Sequence, residues 1–301
     1  MREITMPSSP NFVRSAFQLD RAIGAVASPF TGQTRTQEFD YAGWVAEVSL
    51  PPLKRPEATE WLSFLTKMQG PTNFFKFVDP DGRDPSKNRA ATGEGIYSAD
   101  YFIADPRMDA SSLTLSFSGN TITSNNNAFS AVTGDFFFVS GAVNDDNNGT
   151  FKIVQNASNS QTVAVVDRDL VSETSTSGCS VKVNVKGATA LSLESSDSSS
   201  AGLLKRGDYL ALYDGASLTT ATPKQLVMCT ENATETVVGG GNNHFSVSVE
   251  PKLRFNFADG FYAGFKNGAN ESRFRLVGNS VGWDTDRNSL YTLAFSCAEV
   301  I

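Results

Sequence analysis

The chain has one histidine, His244, so any chemistry that needs an imidazole has to use it. A Ser-His-Asp nucleophile would depend on it, and one chain cannot supply a two-histidine metal site. His244 follows the run Gly239-Gly240-Gly241-Asn242-Asn243 and precedes Phe245-Ser246-Val247-Ser248-Val249, whose alternation reads as a strand. The expectation is therefore a turn residue at a strand entrance. The glycine run is not a phosphate loop, because no Lys-Ser/Thr follows it and a strand comes next. Asp79-Pro80-Asp81-Gly82-Arg83-Asp84 offers the hard oxygen donors that calcium selects. Its other positions are not acidic where a calcium loop needs them and Pro80 restricts it, so turn chemistry accounts for it better. Asn144-Asp145-Asp146-Asn147-Asn148-Gly149 reads as a hairpin loop before it reads as an ion site. Paired carboxylates for glycoside hydrolysis come from distant positions, and nothing local points to a pair. Trp44, Trp61 and Trp283 have ring faces that stack on sugars. The first two lie on apolar faces and read as core, while Trp283, between Gly282 and Asp284, is open to both uses. The reading is of a protein without catalysis, with no cofactor and no metal ligand to name.

Composition sets the class. The chain has 301 residues, long enough for a sizeable core and two or three domains. Strand-forming runs between Ser, Asn and Gly turns dominate after residue 100, which makes it mainly β. The net charge of −7 argues against gripping nucleic acid through its phosphates, though not against a surface that nucleic acid slides past. No apolar run is long enough to span a membrane, and the first residues lack the apolar core of a secretion signal. Cys179, Cys229 and Cys297 are an odd, widely spaced set, expected as reduced thiols in strands of a protein made in the cytoplasm.

The elements that would position any site centre on residues 44–80. Trp44, Ala46, Val48 and Leu50 share one strand face, and Pro51-Pro52 ends that strand. Pro56 suits a first helical turn, and Ala58, Trp61, Leu62, Leu65 and Met68 then form a helical stripe that Gly70-Pro71 stops. Phe74 to Phe77 and Val78 make the next strand. Before it, Phe39 and Tyr41 alternate out of phase with Trp44, so a β-bulge is expected at Gly43. Residues 1–35 lack clear periodicity and read as a peripheral strand pair or an arm lying on a neighbouring subunit. Residues 81–100 read as a long loop. Short strands then fill two small all-β modules that share a weak likeness. Gly134-Asp135-Phe136 answers Gly207-Asp208-Tyr209, residues 152–154 answer 225–227, and an Asn-Ala-Ser or Asn-Ala-Thr turn follows each. Near the end, Tyr291, Leu293, Phe295 and Cys297 alternate strictly, and this last strand needs a partner in the first 100 residues. The domain expectation is residues 1–105 plus 256–301 as one β domain, with inserted modules at 106–187 and 188–255.

Residues 44–55 (Trp-Val-Ala-Glu-Val-Ser-Leu-Pro-Pro-Leu-Lys-Arg), the helix with Trp61, Phe64 and Leu65, Gly70 and the strand ending at Asp79-Pro80 resemble the distal tail proteins of long-tailed bacteriophages, the siphophages. The closing Trp283-Asp284 and Tyr291 to Ser296 are similar to the end of such proteins. The resemblance covers roughly residues 28–80 and 270–301, and its motifs are structural. It implies a tail-tube-like β-barrel or sandwich with one packed α-helix, interrupted by small all-β modules. Trp44, Val48, Leu50, Trp61, Leu65, Met68, Phe77, Tyr291, Leu293 and Phe295 would be the core of that ring-forming domain. It further implies a homohexameric ring at the virion's tail tip, assembled in the host cytoplasm. Its partners would be the tail tube protein and the tail hub or tip proteins. The tape-measure protein and DNA would pass through the lumen without specific binding. Two alternatives stand beside it: a carbohydrate-binding or glycan-degrading surface protein acting on host glycan through residues 106–255, and a trimeric tail hub component.

Overall fold

In a computed structural model of the chain, the structure describes residues 1–89, 100–105, 108–129, 133–156, 162–195, 204–215, 221–237 and 243–301. The chain runs β1 (Arg14–Ala27), β2 (Thr34–Ser49), α1 (Arg55–Met68), β3 (Phe75–Phe77), β4 (Tyr101–Ala104), β5 (Asp109–Ser118), β6 (Thr121–Ser124) and β7 (Phe136–Ser140). It continues through β8 (Gly149–Asn156), β9 (Val163–Val166), β10 (Glu173–Lys182), β11 (Ala190–Ser195), β12 (Tyr209–Tyr213), β13 (Pro223–Cys229) and β14 (Thr234–Val237). It ends with β15 (Asn243–Glu250), β16 (Tyr262–Gly264), β17 (Ser272–Leu276), β18 (Asp284–Thr285), β19 (Tyr291–Thr292) and β20 (Ala294–Glu299). The fold is mainly β with one α-helix among the described residues. It divides into two compact units, the first holding Met1–Pro80, Lys224–Leu226 and Glu271–Ile301, the second the rest.

The first unit is a five-stranded sheet in the order β1-β2-β20-β17-β3. Its sequence logic is alternation. Trp44, Ala46, Val48 and Leu50 are all buried, as one face of a half-buried strand requires. β2 pairs antiparallel with β20 through Val45–Ser49 against Ala294–Ala298, so the last strand joins the N-terminal segment. Helix α1 buries Ala58, Trp61, Phe64, Leu65 and Met68. The Glu57 carboxylate accepts the Lys54 N–H at its start. At its end Gln69 takes the left-handed conformation, and the Asn73 amide donates to the Lys67 carbonyl. The Phe64 ring meets Phe75 at 5.3 Å and Trp61 meets Phe295 at 6.3 Å, which lays the helix on an open sheet. The outer edge of β3 is partly covered, because Ile4 donates to the Phe74 carbonyl and Phe74 donates to that of Arg2.

Two local expectations change. The register of β1 against β2 keeps Asp20 opposite Gly43 and slips between Arg21 and Ile23, so the bulge lies at residues 39–41 rather than at Gly43. Gly43 is instead a close approach: a Cβ there would stand 3.0 Å from the Ile301 side chain. The terminal strand is also broken, with Tyr291–Thr292 pairing to Asp284–Thr285 and β20 starting only at Ala294.

The second unit holds the closed barrel, β10-β5-β6-β9-β8-β7, and, apart from Lys224–Leu226 of β13, a seven-stranded sheet, β11-β4-β16-β12-β13-β15-β14. In that sheet β11 also pairs with β15, which closes six of the strands into a circuit. Strands β4 and β16 lie outside the expected module at 188–255, and residues 81–105 and 256–270 belong to this unit. Their burial explains it. Phe102, Ala104, Phe257, Ala263 and Phe265 pack into the same core as Leu193, Val227 and Phe245.

The two modules share a backbone signature. Gly134 donates to the Ile153 carbonyl at 2.7 Å and Ile153 donates back to that of Asp135 at 2.8 Å. Gly207 and Asp208 make the same pair of bonds with Cys229, both 2.8 Å. Both glycines have positive φ. The match sets Ile153 against Cys229, three residues later than the sequence alignment placed it, and leaves Asn156 against Asn232 at the same offset. The remainder of the first Asn-Ala-Ser turn lies outside the described residues.

Candidate functional site

In the first unit, β1 and β2 continue as a two-stranded ribbon beyond the sheet. β20 reaches only Val45, while the β1–β2 ladder extends to Ala27 and Thr34. Ser28, whose N–H donates to the Gln33 carbonyl, and Gly32, with φ 69°, make the turn. The alternation puts Val26, Phe39 and Tyr41 on one face, and a Cβ on Gly24 would touch the Phe39 ring at 3.3 Å. Val26, Phe39, Tyr41, Ile23 and Phe30 are all exposed, Phe30 at 95%. Residues 23–27, Ile-Gly-Ala-Val-Ala, carry no charge along the edge strand of the sheet.

The residues expected in the ring-domain core all lie in this unit. Trp44, Val48, Leu50, Trp61, Leu65, Met68, Phe77, Tyr291 and Leu293 are buried and Phe295 is half-buried. The indole N–H of Trp44 donates to the Leu226 carbonyl at 2.8 Å and that of Trp61 to the Ser9 carbonyl at 3.2 Å, which fixes both as packing residues. Trp283 is 54% exposed.

In the second unit, the polar feature is one the sequence did not show. His244 is inside β15, not in a turn, paired in register with Glu194 of β11. Its Nδ1 lies 2.9 Å from Oδ2 of buried Asp105 and 4.0 Å from the Glu194 carboxylate. Ser192 Oγ donates to the same Asp105 oxygen at 3.3 Å. The Asn184 amide donates to the Ser192 carbonyl and accepts its N–H, while Asp105 N–H donates to that carbonyl too. Asp105 is where the chain leaves the seven-stranded sheet for the barrel, and Asn184 is where it comes back. The cluster therefore clasps the two crossings together. Chemically, a buried carboxylate on Nδ1 orients an imidazole as in a catalytic triad. Among the described residues no hydroxyl or thiol is hydrogen-bonded to its Nε2. The signal was not legible because Asp105 is 139 residues away from His244.

The same sheet carries an aromatic pair. Tyr101 and Tyr262 meet edge to face with ring centroids 4.5 Å apart, and Tyr101 is 36% exposed. Next to Tyr101, the Asp100 carboxylate accepts the Asn267 amide at 2.8 Å. The acidic loops behave as turns. Asp84 accepts the Ser86 N–H, Asp81 takes the Lys87 ammonium, and Asn144 caps the turn Asp145–Asn147. No group of three potential metal ligands occurs among the described residues. The glycine run 239–242 and residues 90–99 lie outside them. All three cysteines are free and buried. Burial pushes each thiol up, and the nearby Asp208 charge adds to this at Cys229, so none is a ready nucleophile near neutral pH. A scan against protein-family models and a search of curated proteins each find no match.

Proposed function

We propose that the chain is a structural virion protein, the distal tail ring of a long-tailed phage. Six copies would join the tail tube to the tail tip and enclose the channel through which the tape-measure protein and DNA pass. The observation that carries the reading is the β1–β2 ribbon. It leaves the sheet of the first unit with no further strand partner among the described residues and with five large apolar side chains exposed. Such an edge invites pairing, and identical copies joined head to tail in a closed ring satisfy it. The acidic balance, −7 per copy, supports a channel that DNA crosses without sticking. The reading assigns no catalysis. Electron microscopy of the purified chain, alone and with its tail tube protein, tests it. Six-fold rings are expected, three-fold rings favour a hub component, and single-chain particles in both samples overturn it.

A second reading has its own support. The Tyr101–Tyr262 pair beside Asp100 and Asn267 has the aromatic faces and hydrogen-bonding groups that sugars need. These residues lie just outside the span 106–255 to which the sequence reading gave that alternative role. A glycan array with the full chain and with Tyr101→Ala tests a host-carbohydrate role. Binding lost in the variant supports it, and no binding by the unaltered chain removes it.

A further inference from the structure

The β1–β2 ribbon ends in an apex whose side chains and backbone suit a medium with little water. Residues 22–34, Ala-Ile-Gly-Ala-Val-Ala-Ser-Pro-Phe-Thr-Gly-Gln-Thr, carry no charge. Phe30 stands in the turn at 95% exposure, and Val26 stands behind it at 73%. The turn also keeps its donors to itself. Ser28 N–H donates to the Gln33 carbonyl and Gly32 N–H to that of Ser28. Ser28 Oγ accepts the N–H groups of Phe30 and Thr31, Thr31 Oγ1 accepts that of Gln33, and Pro29 has none to place. We infer that this apex enters the headgroup layer of a zwitterionic lipid surface, with Phe30 as its anchor. The inference concerns the apex and does not rest on the ring reading, which turns on pairing along the ribbon's edges.

Three observations favour lipid as the occupant. The first is the backbone. Where water is displaced, an unpaired N–H is costly, and from Ser28 to Gln33 every N–H has an acceptor within the turn. The second is the order of charges along the ribbon. As a whole the ribbon is not basic, since Asp20, Glu38 and Asp40 outnumber Arg21 and Arg35. The levels are what matter. Behind the turn come the pairs Ala27–Thr34 and then Val26–Arg35, and the first carboxylate belongs to Glu38, opposite Ile23. Four residues at about 3.4 Å each put that level about 14 Å behind Ala27–Thr34. Apolar apex, cation, then carboxylates matches the passage from acyl boundary through phosphate to water, and the Arg35 stem is long enough to keep its charge among the phosphates. The third is shape. Val26 faces one side of the ribbon, Ala25 and Ala27 face the other, and Phe30 projects at the end. A protein surface covers one side of such a ribbon, whereas a fluid interface closes round the whole apex. The surface is zwitterionic because a ribbon without excess positive charge, on a chain of −7, gains nothing from anionic lipid.

Flotation of the full chain with phosphatidylcholine vesicles tests the inference. The chain is expected to float with them equally at low and high salt, because apolar burial and not charge holds it there. Phe30→Asp is expected to lower the vesicle affinity by at least about tenfold, the share that one buried phenylalanine carries. Phe30 is almost wholly exposed, so the variant keeps the wild-type melting curve by circular dichroism. Val143→Asp, at an 83% exposed position of the second unit, is expected to float as the wild type does. In a second measurement Phe30→Trp chains meet vesicles with brominated acyl chains, and the emission of the added indole is expected to be quenched. Wild-type chains that stay in the aqueous fraction, or Phe30→Asp chains that float equally, overturn the inference. So does binding that needs anionic lipid and is lost in salt. Micrographs of the same samples read the ring separately. Rings lost in Phe30→Asp, with no flotation of the wild type, put a protein on the apex and overturn the lipid assignment. Flotation by a chain that forms no rings removes the ring reading and leaves this one standing.

Discussion

Arg89 and Asp208 meet through two hydrogen bonds, 2.8 and 3.2 Å, with both side chains out of water. The Asp208 carboxylate also accepts the Lys205 N–H at 2.8 Å. Taking both charges out of water is costly, and stranding one is costlier, because its partner's field no longer offsets the lost hydration. Asp208→Ala is expected to destabilise the second unit by about 3–5 kcal/mol. Arg89→Met combined with Asp208→Leu is expected to cost less than the single change, and urea unfolding followed by circular dichroism distinguishes the two. The thiols give a pH prediction. Burial holds Cys229 and Cys297 above the ordinary 9.0, so the folded chain keeps protons that the unfolded chain loses as pH rises past that value. The stabilisation is complete below about pH 9 and falls as pH climbs towards the folded values, by up to roughly 1.4 kcal/mol per pH unit for each thiol. Cys297→Val is expected to flatten that decline by one thiol's share between about pH 9 and about pH 10.5, read from unfolding curves at each pH.

Helix α1 is the element whose sequence and structure agree most closely. One stripe at helical spacing, a proline in the first turn and a left-handed residue at the end specify it locally. Its buried stripe should therefore carry the usual cost of a core cavity: Leu65→Ala is expected to lose about 2–5 kcal/mol in urea unfolding. The strand from Trp44 to Leu50 was legible for the same reason, one buried face and one wet one. Strand β1 was legible only as one of two alternatives, a peripheral strand pair or an arm, because Arg14–Ala27 is half-exposed on both faces and its pairing with β2, not its own pattern, makes it a strand. β4 and β16 were missed. Tyr101–Ala104 and Tyr262–Gly264 are too short for a periodic signal, and they pair with each other across more than 150 residues of chain. The polar clasp at Asp105, Asn184, Ser192 and His244 failed to show for that reason too, since only the folded sheet brings these residues together. Gly264 is a further case. A Cβ there would lie 1.9 Å from the Ala269 carbonyl oxygen, so Gly264→Ala must displace backbone and is expected to lower the melting temperature well beyond an ordinary strand substitution.

At the scale of the whole chain, two units with separate cores imply two cooperative unfolding steps rather than one. The aromatic residues make this measurable without labels. Trp44, Trp61 and Trp283, all three tryptophans of the chain, belong to the first unit, so indole fluorescence reports on that unit alone. Far-ultraviolet circular dichroism reports on strands in both. Leu65→Ala opens a cavity beside Trp61 in the first core, while Phe245→Ala opens one in the second, at a cost of about 3–5 kcal/mol. Fluorescence midpoints in urea are therefore expected to fall with Leu65→Ala and to hold with Phe245→Ala, and the circular dichroism curve is expected to shift with either. Equal shifts of the fluorescence midpoint in both variants would mean that the chain unfolds as a single cooperative body.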